Sequence, residues 1–428
     1  MTYQLLALAT LAYADLAVPP DLSDHVVSWD AAHCPAEADA LALAVGDRDL
    51  EAVQLLALRQ GVQQRLASWH AAGRLDEACV TAVRGLDMVL RREADLALQR
   101  QGASSSWLSV DPTFGPHALR SGDVLVSRGD KLSSAGIASI GVHPSHFSHN
   151  AVVYVDDAGQ AWTIEAYLEK GAIVQPLEAF LGHGVARVAV ARFHDEALAA
   201  EAAQAAYTRV VDGPAIGYDA GFTDDRSTLY CSEIAGWAFS LVGGPDDLPL
   251  HPTPFDHEGR GAMFAAMGVT VPHLSAPADV LFDPRFELVA EWRDMGLLEE
   301  LRRQDAVVAG LFGWIEQGYE LQPRFAQRAT VDVGLALRRT PGFGALLADQ
   351  VHPDADRQFL VASLTLQTAG LVVFDELERR TGGRVLTDAQ LADEVQTIWR
   401  RDAQRAHRQP RKARLHRLLQ ARELRTGG

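Results

Sequence analysis

Three residues near the middle of the chain have types that together could carry out acyl transfer. Cys231 lies in Leu229-Tyr230-Cys231-Ser232-Glu233-Ile234, and Ile234, Trp237, Ala238 and Leu241 are spaced to cover one face of a helix. That spacing places Cys231 in the first turn, where unpaired N–H groups and the macrodipole favour a thiolate. A thiolate at neutral pH is the nucleophile of a cysteine hydrolase. Glu233 opposes this if its charge points the same way. A cysteine at such a place, with nothing else, is more often structural than catalytic, so the case depends on its neighbours.

A thiolate needs a base within hydrogen-bond reach. His149 opens a predicted strand, Ser148-His149-Asn150-Ala151-Val152-Val153-Tyr154. Glu165 falls inside the next one, Thr163-Ile164-Glu165-Ala166. A carboxylate in an apolar strand is costly unless it is paired. Asp156-Asp157-Ala158-Gly159 reads as a hairpin turn between the two strands. Strand alternation then lets His149 and Glu165 share one face. A Glu that orients a His beside a Cys on a facing helix follows the logic of a catalytic triad.

The surrounding pattern has to position these groups. Residues 1–110 read as a helical N-terminal region. One apolar face runs through Leu50, Val53, Leu55, Leu56, Leu58, Val62 and Leu66, and another through Val80, Val83, Leu86, Val89 and Leu90. Gly73 separates them as in a helical hairpin. Residues 102–117 read as a linker. Strands are expected at Val124–Ser127, His149–Val155, Trp162–Tyr167, Val188–Phe193 and Phe286–Trp292. Helices are expected at Ala197–Val211 and Tyr230–Val242, the latter stopped by Gly243-Gly244. The fold class is therefore α+β, with several antiparallel strands. From Leu297 onward helical patterns recur at Leu297–Ala309, Val331–Leu337, Phe359–Arg380 and Asp388–Leu424.

Gly122-Asp123-Val124-Leu125, the His149 strand, Ile164-Glu165-Ala166 and Tyr230-Cys231-Ser232-Glu233 resemble the NlpC/P60 cysteine hydrolases. More narrowly, they are similar to the circularly permuted papain-like branch called YiiX/YebB-like, in which the His strand precedes the Cys helix. The resemblance covers roughly residues 118–292 and implies a catalytic domain over 118–293, an antiparallel sheet or barrel with a Cys-bearing helix. Residues 294–428 would be a helical C-terminal region with a basic tail. It implies Cys231 as nucleophile, His149 as general base and later acid, and Glu165 as the residue that orients His149. The Cys231 N–H would help hold the oxyanion. Gly217-Tyr218-Asp219 resembles the family's Tyr-containing loop, which gives Tyr218 a role as a further donor. The implied reaction is cleavage of an amide, such as a cell-envelope peptide bond, with no cofactor. A thiol-dependent acyltransferase or esterase acting on lipids would use the same triad, and a binding module with a vestigial site would retain the residues without turnover.

Other features admit competing readings. His143, His146 and His149 recur every three residues, as zinc ligands can, but Pro144 disrupts a helix there and no metal site is assigned. Trp237 reads as core, and His251 and His257 as exposed loop residues. Asp224-Asp225 resembles half a cation loop without supporting spacing. Cys34 and Cys79 either pair or remain two buried thiols, and Cys231 has no obvious partner.

The chain has 428 residues, 48% hydrophobic and 22% charged, which suits two to three globular domains. A net charge of −17 argues against nucleic acid as a partner. Only three of the 39 basic residues are lysine, a bias expected of a GC-rich bacterial genome. Residues 400–428 hold ten Lys or Arg against Asp402 and Glu423. Such a tail is a solvated helix, or it docks on an anionic membrane or on the acidic body. No run approaches ~18 uncharged apolar residues, so a transmembrane helix is not expected. The apolar run Leu5–Ala14 follows no positive charge and reads as a buried helix rather than an export signal. Substrate peptide, amide or lipid-like groups are the expected partners.

Overall fold

The computed structural model describes residues 18–103, 105–111, 113–141, 143–168, 170–182, 184–223, 226–254, 269, 271, 273–338, 357–409 and 412–421. The run 5–14, Asp224-Asp225, His257 and the tail beyond residue 421 lie outside these.

Four helices open the chain: α1 (Pro20–Ser28), α2 (Cys34–Gly46), α3 (Ala52–Ala71) and α4 (Glu77–Arg100). Asp76 caps α4, its side chain accepting from Cys79 N at 2.8 Å. Gly73, with φ +65°, turns the chain between α3 and α4. The apolar stripes fall where periodicity put them: Leu55, Leu56, Val62, Val80 and Leu90 are buried. Burial of each such side chain stabilises by about 1.5–3 kcal/mol. Cys34 and Cys79 form a disulfide between α2 and α4, with Cα atoms 5.3 Å apart.

A seven-stranded antiparallel sheet follows, built from β1 (Ser105–Leu108), β2 (Val124–Gly129), β3 (His149–Val155), β4 (Ala161–Tyr167), β5 (Gly171–Pro176), β6 (Val185–Phe193) and β7 (Phe286–Asp294). Its order is β1-β7-β6-β2-β3-β4-β5. The expected linker over 102–117 therefore contains an edge strand, because the backbone of residues 105–108 completes hydrogen bonds offered by β7. Strand β5 went unexpected, as did α5 (Leu132–Ala138) and α6 (Leu177–Leu181). At the turn into β5 Gly171 has φ +71°, and a Cβ there would lie 2.1 Å from the Ile216 carbonyl, so only glycine fits.

The sheet has two apolar faces. Val124, Val126, Val152, Ile164 and Ala189 join one cluster with residues of α1–α4, of α7 (Glu196–Asp212) and of α8 (Ile234–Ser240). The N-terminal helices thus share a core with the sheet. Leu125, Ala151, Val153, Val188 and Val190 face the other way, onto Phe114, Leu177 and Phe180. The helix expected at Tyr230–Val242 is shorter, a 3₁₀ turn at Cys231–Glu233 leading into α8. It stops where Gly244 N donates to Phe239 O at 2.9 Å.

The C-terminal region contains α9 (Met295–Glu316), α10 (Phe325–Arg338), α11 (Arg357–Thr381) and α12 (Asp388–Arg408). The expected helix over 388–424 ends at Arg408. The chain then folds back, and Leu419–Ala421 pairs antiparallel with Tyr319–Leu321. Leu415, Leu418 and Leu419 are buried, and His416 Nδ1 lies 3.1 Å from Asp402 Oδ2. This part of the basic tail docks on the protein's own body. By length and composition α11 is apolar enough to cross a membrane, with mean hydropathy 1.4 over 18 residues. Phe359, Ala362, Ala369, Val373 and Leu377 of that helix are buried in a cluster with α9 and α12.

The disulfide closes a sequence separation of 45 residues. Loop-closure entropy for that length predicts that replacing both cysteines with serine lowers stability by about 3–4 kcal/mol. Denaturant unfolding of the two forms, with and without reductant, measures this, and reductant should affect only the native form.

Candidate active site

β3 and β4 place the histidine and the glutamate. Ala151 pairs with Glu165 across the hairpin, so His149 and Glu165 are diagonal neighbours on one face. His149 Nε2 lies 2.8 Å from Glu165 Oε2. Asp156 holds the turn, its carboxylate accepting from the N–H groups of Ala158 and Gln160 at 3.0 and 2.8 Å.

Glu165 has no exposed surface. Besides His149, it accepts from Thr163 Oγ1 at 2.6 Å, Tyr167 Oη at 2.8 Å and Gln175 Nε2 at 2.8 Å. Burial pushes its carboxyl up, but the His149 bond and charge and the hydroxyl donors outweigh that and hold it below the ordinary value. The His149 ring stacks on Tyr167, centroids 4.8 Å apart, with Phe180 at 6.5 Å. The Glu165 bond and two aromatic faces thus help to fix the orientation of the imidazole.

Cys231 is the first residue of its 3₁₀ turn, so its N–H has no acceptor within that turn. The thiol is buried and hydrogen-bonds with His149 and the Asn150 N–H. Glu165 occupies Nε2, which leaves Nδ1 as the ring nitrogen for sulfur. Sγ also lies 3.9 Å from the Ser148 carbonyl and 3.8 Å from Ser232 Oγ. Burial pushes the thiol up, but the bond to His149 and its charge overcome this and bring it below its ordinary value. Burial pushes His149 down, and Cys231 and Glu165 together raise it to about 10. Both directions favour a thiolate–imidazolium pair. Glu233 Oε2 accepts from the Tyr230 N–H at 3.1 Å, so the nearby carboxylate makes a backbone cap.

The structure therefore brings Cys231, His149 and Glu165 together. Tyr218 lies in a two-residue parallel pairing, Gly217–Tyr218 with Thr228–Leu229, directly beside Leu229. Thr163, Tyr167, Gln175 and Phe180 were not singled out from sequence. The signal for two of them was present: Thr163, Glu165 and Tyr167 alternate along one strand and must share a face. Gly122-Asp123 serves the frame. A Cβ on Gly122 would lie 2.5 Å from the Ala199 backbone, and buried Asp123 holds Arg192 through two bonds of 2.8 Å.

The three histidines at spacing three do not converge. His143 packs against Gly85 of α4, His146 is half-buried near Arg91 and Arg187, and His149 holds Glu165. Among the described residues no group of three or more His, Cys, Asp or Glu is placed to hold a metal. Trp237 is buried. His251, expected to be exposed, is half-buried, because its carbonyl accepts from Arg84 of α4.

Residues 118–290 match the Peptidase_C92 family, described as permuted papain-like amidase enzyme, YaeF/YiiX, C92 family. No curated protein and no solved structure matches the chain. The matched segment spans β2 to β7, with the His strand ahead of the Cys helix as the permuted order requires. Residues 118–290 are thus a permuted papain-like domain of the YaeF/YiiX amidase family, and the chain that carries them is an enzyme of the cysteine hydrolase class.

Proposed function

We propose that the protein hydrolyses an amide bond through Cys231, His149 and Glu165. The observation that carries this is the placement of His149, bonded to the Cys231 thiol on one side and to a fully buried carboxylate on the other. The Cys231 thiolate attacks the amide carbonyl, and the developing oxyanion is met by the Cys231 N–H. The imidazolium of His149 gives its proton to the departing amine, which leaves a thioester on Cys231. Water then attacks the thioester as His149 takes its proton, and the carboxylic acid departs with the thiolate restored. Glu165 keeps the ring oriented and its charge favours the imidazolium. Tyr218 is assigned as a second oxyanion donor. The proposed substrate class is a peptide-like amide of the cell envelope; the family's amidase description supports the amide.

Cys231 is the free cysteine among the described residues, so alkylation of the oxidised protein reports on it directly. An unperturbed thiol titrates near ~8.5. Iodoacetamide should label Cys231 rapidly well below that pH, and His149→Ala should restore an ordinary thiol curve. An ordinary curve in both proteins would remove the basis for the pair.

Cys231→Ala should abolish turnover of peptide amides and leave the circular dichroism spectrum unchanged. Glu165→Gln should lower kcat/KM by about 10²–10⁴-fold. Its sign in pH is fixed: His149 is raised to about 10 partly by Glu165, so the alkaline limb of the rate profile moves to lower pH in the variant. Tyr218→Phe should cost about 10²-fold in kcat. Transfer of the trapped acyl group to an added amine faster than to water would replace hydrolysis with acyl transfer.

A further inference from the structure

On the helix-bearing face of the sheet, opposite the His149–Glu165 pair, three arginines lie side by side. Arg128 of β2 pairs with Arg187 of β6, and Arg187 with Arg293 of β7. Like charges directly across strands repel. The N-terminal and C-terminal helices supply carboxylates to this row. Asp95 of α4 bonds Arg187 at 2.5 Å and Arg293 at 2.8 Å, and Asp305 of α9 bonds Arg128 at 2.6 Å. Arg59 and Arg91 join the lattice through Asp87, and Arg59 and Arg293 share Glu291.

The balance does not close. Five buried guanidiniums (Arg59, Arg91, Arg128, Arg187 and Arg293) form direct ion pairs with four carboxylates. Several donors also lack a hydrogen-bond partner among the described residues. These include Arg187 Nε and Nη1 and Arg128 Nε, and His146 Nδ1 beside them has no partner either. An unpaired buried charge and unfilled donors are each costly. Burial holds Arg91 down at about 10 and Arg128 and Arg293 below their ordinary values, whereas Asp87 and Glu291 raise Arg59.

Arg128, Arg187 and His146 all line a cleft of about 370 Å³ between α4, α9 and α12. Asp95 and Asp305, already bonded to those arginines, line it beside them, and Leu298, Leu301, Ala306, Ala309, Ala392 and Val395 form an apolar wall. Ala309 and Ala392 are exposed, so the cleft opens to solvent on that side. Across its rim Asp388 joins Arg92 at 3.0 Å to Arg302 at 2.6 Å. At about 30 Å³ per water-sized unit, the space holds a ligand of roughly a dozen heavy atoms. Cys231, His149 and Glu165 do not line it.

We propose that this cleft binds an amphiphilic anion, with a carboxylate or phosphate head on Arg128, Arg187 and His146 and a short apolar body between α9 and α12. The head supplies the missing counter-charge and fills the open donors, while the apolar wall takes the body.

The test is binding to the full-length oxidised protein, with turnover left aside. Decanoate and decyl phosphate are the probes, below their micelle-forming concentrations. Decanol and decylamine carry the same body without the anion, and inorganic phosphate carries the charge without the body. The expected result is that at least one decyl anion raises Tm by ~2–4 °C near saturation and gives a binding isotherm, whereas the three controls shift Tm by less than half as much. The two decyl anions tell carboxylate from phosphate preference. Ala309→Trp, at an exposed wall position, should weaken the anion at least tenfold while leaving unliganded Tm unchanged. If that variant lowers the unliganded Tm, Ala392→Trp serves the same purpose from the other wall. No response to either decyl anion, or an equal response to decanol, would overturn the proposal, as would binding unaffected by the wall variants.

Discussion

A carboxylate without exposed surface must be encircled by donors, and much of the site follows from satisfying Glu165. Taking such a group out of water costs several kcal/mol if it is unpaired. Its four donors come from three strands: His149 from β3, Thr163 and Tyr167 from β4, and Gln175 from β5. The register of β4 against β5 puts Gln175 opposite Thr163 and within reach of Glu165. A slip of one residue would turn Thr163, Glu165 and Tyr167 to the other face and strand the charge. Glu165 thus specifies the register of the hairpin as well as orienting the histidine. Tyr167 acts twice, donating its hydroxyl to Glu165 and stacking its ring on His149.

The opposite face of the same sheet obeys a related constraint with the sign reversed. Three neighbouring arginines there require carboxylates that the sheet alone does not supply in full. Asp87 and Asp95 arrive on α4 and Asp305 on α9, with Glu291 from β7 between them. This gives the helical flanks a structural reason that the matched segment, residues 118–290, does not contain by itself. α4 lies before that segment and α9 after it. Buried ion pairs rarely add much net stability over apolar packing, but removing one partner is costly. The helices are therefore needed where they are once the arginines are present.

The elements of the candidate site were legible because their signals are local. A Val-rich run marks β3, Asp156–Gly159 marks the turn, and a glutamate in the apolar strand that returns from it announces a partner. The Cys helix was found from Ile234, Trp237 and Ala238, although its 3₁₀ start and its end at Ser240 were not. What stayed hidden depends on distant partners. Arg187 and Arg293 meet Asp95 across sequence separations of 92 and 198 residues, and no periodicity encodes that. Strand β1 was masked by Gly, Ser and Pro around it, since an edge strand is defined by the neighbour it pairs with. The same holds for Leu419–Ala421, which the basic composition of the tail made look like continuing helix. Cys34 and Cys79 were an open choice because helix patterns alone do not fix how α2 lies on α4.

The two faces are not independent, because β2 serves both. Ser127 pairs with His149 and projects to the side of the His149–Glu165 pair, while its neighbour Arg128 projects into the arginine row. The Ser127 carbonyl accepts from the Ser148 N–H at 2.7 Å, and Ser148 Oγ accepts from the Gly129 N–H at 3.2 Å. The Ser148 carbonyl in turn lies 3.9 Å from Cys231 Sγ. Residues 127–129 therefore clamp Ser148 from both sides of Arg128, and Ser148 adjoins the thiol. Strands transmit displacement because packed interiors deform little. Where the Arg128 backbone is held thus constrains where the sulfur can lie, and the ion lattice becomes part of what positions Cys231.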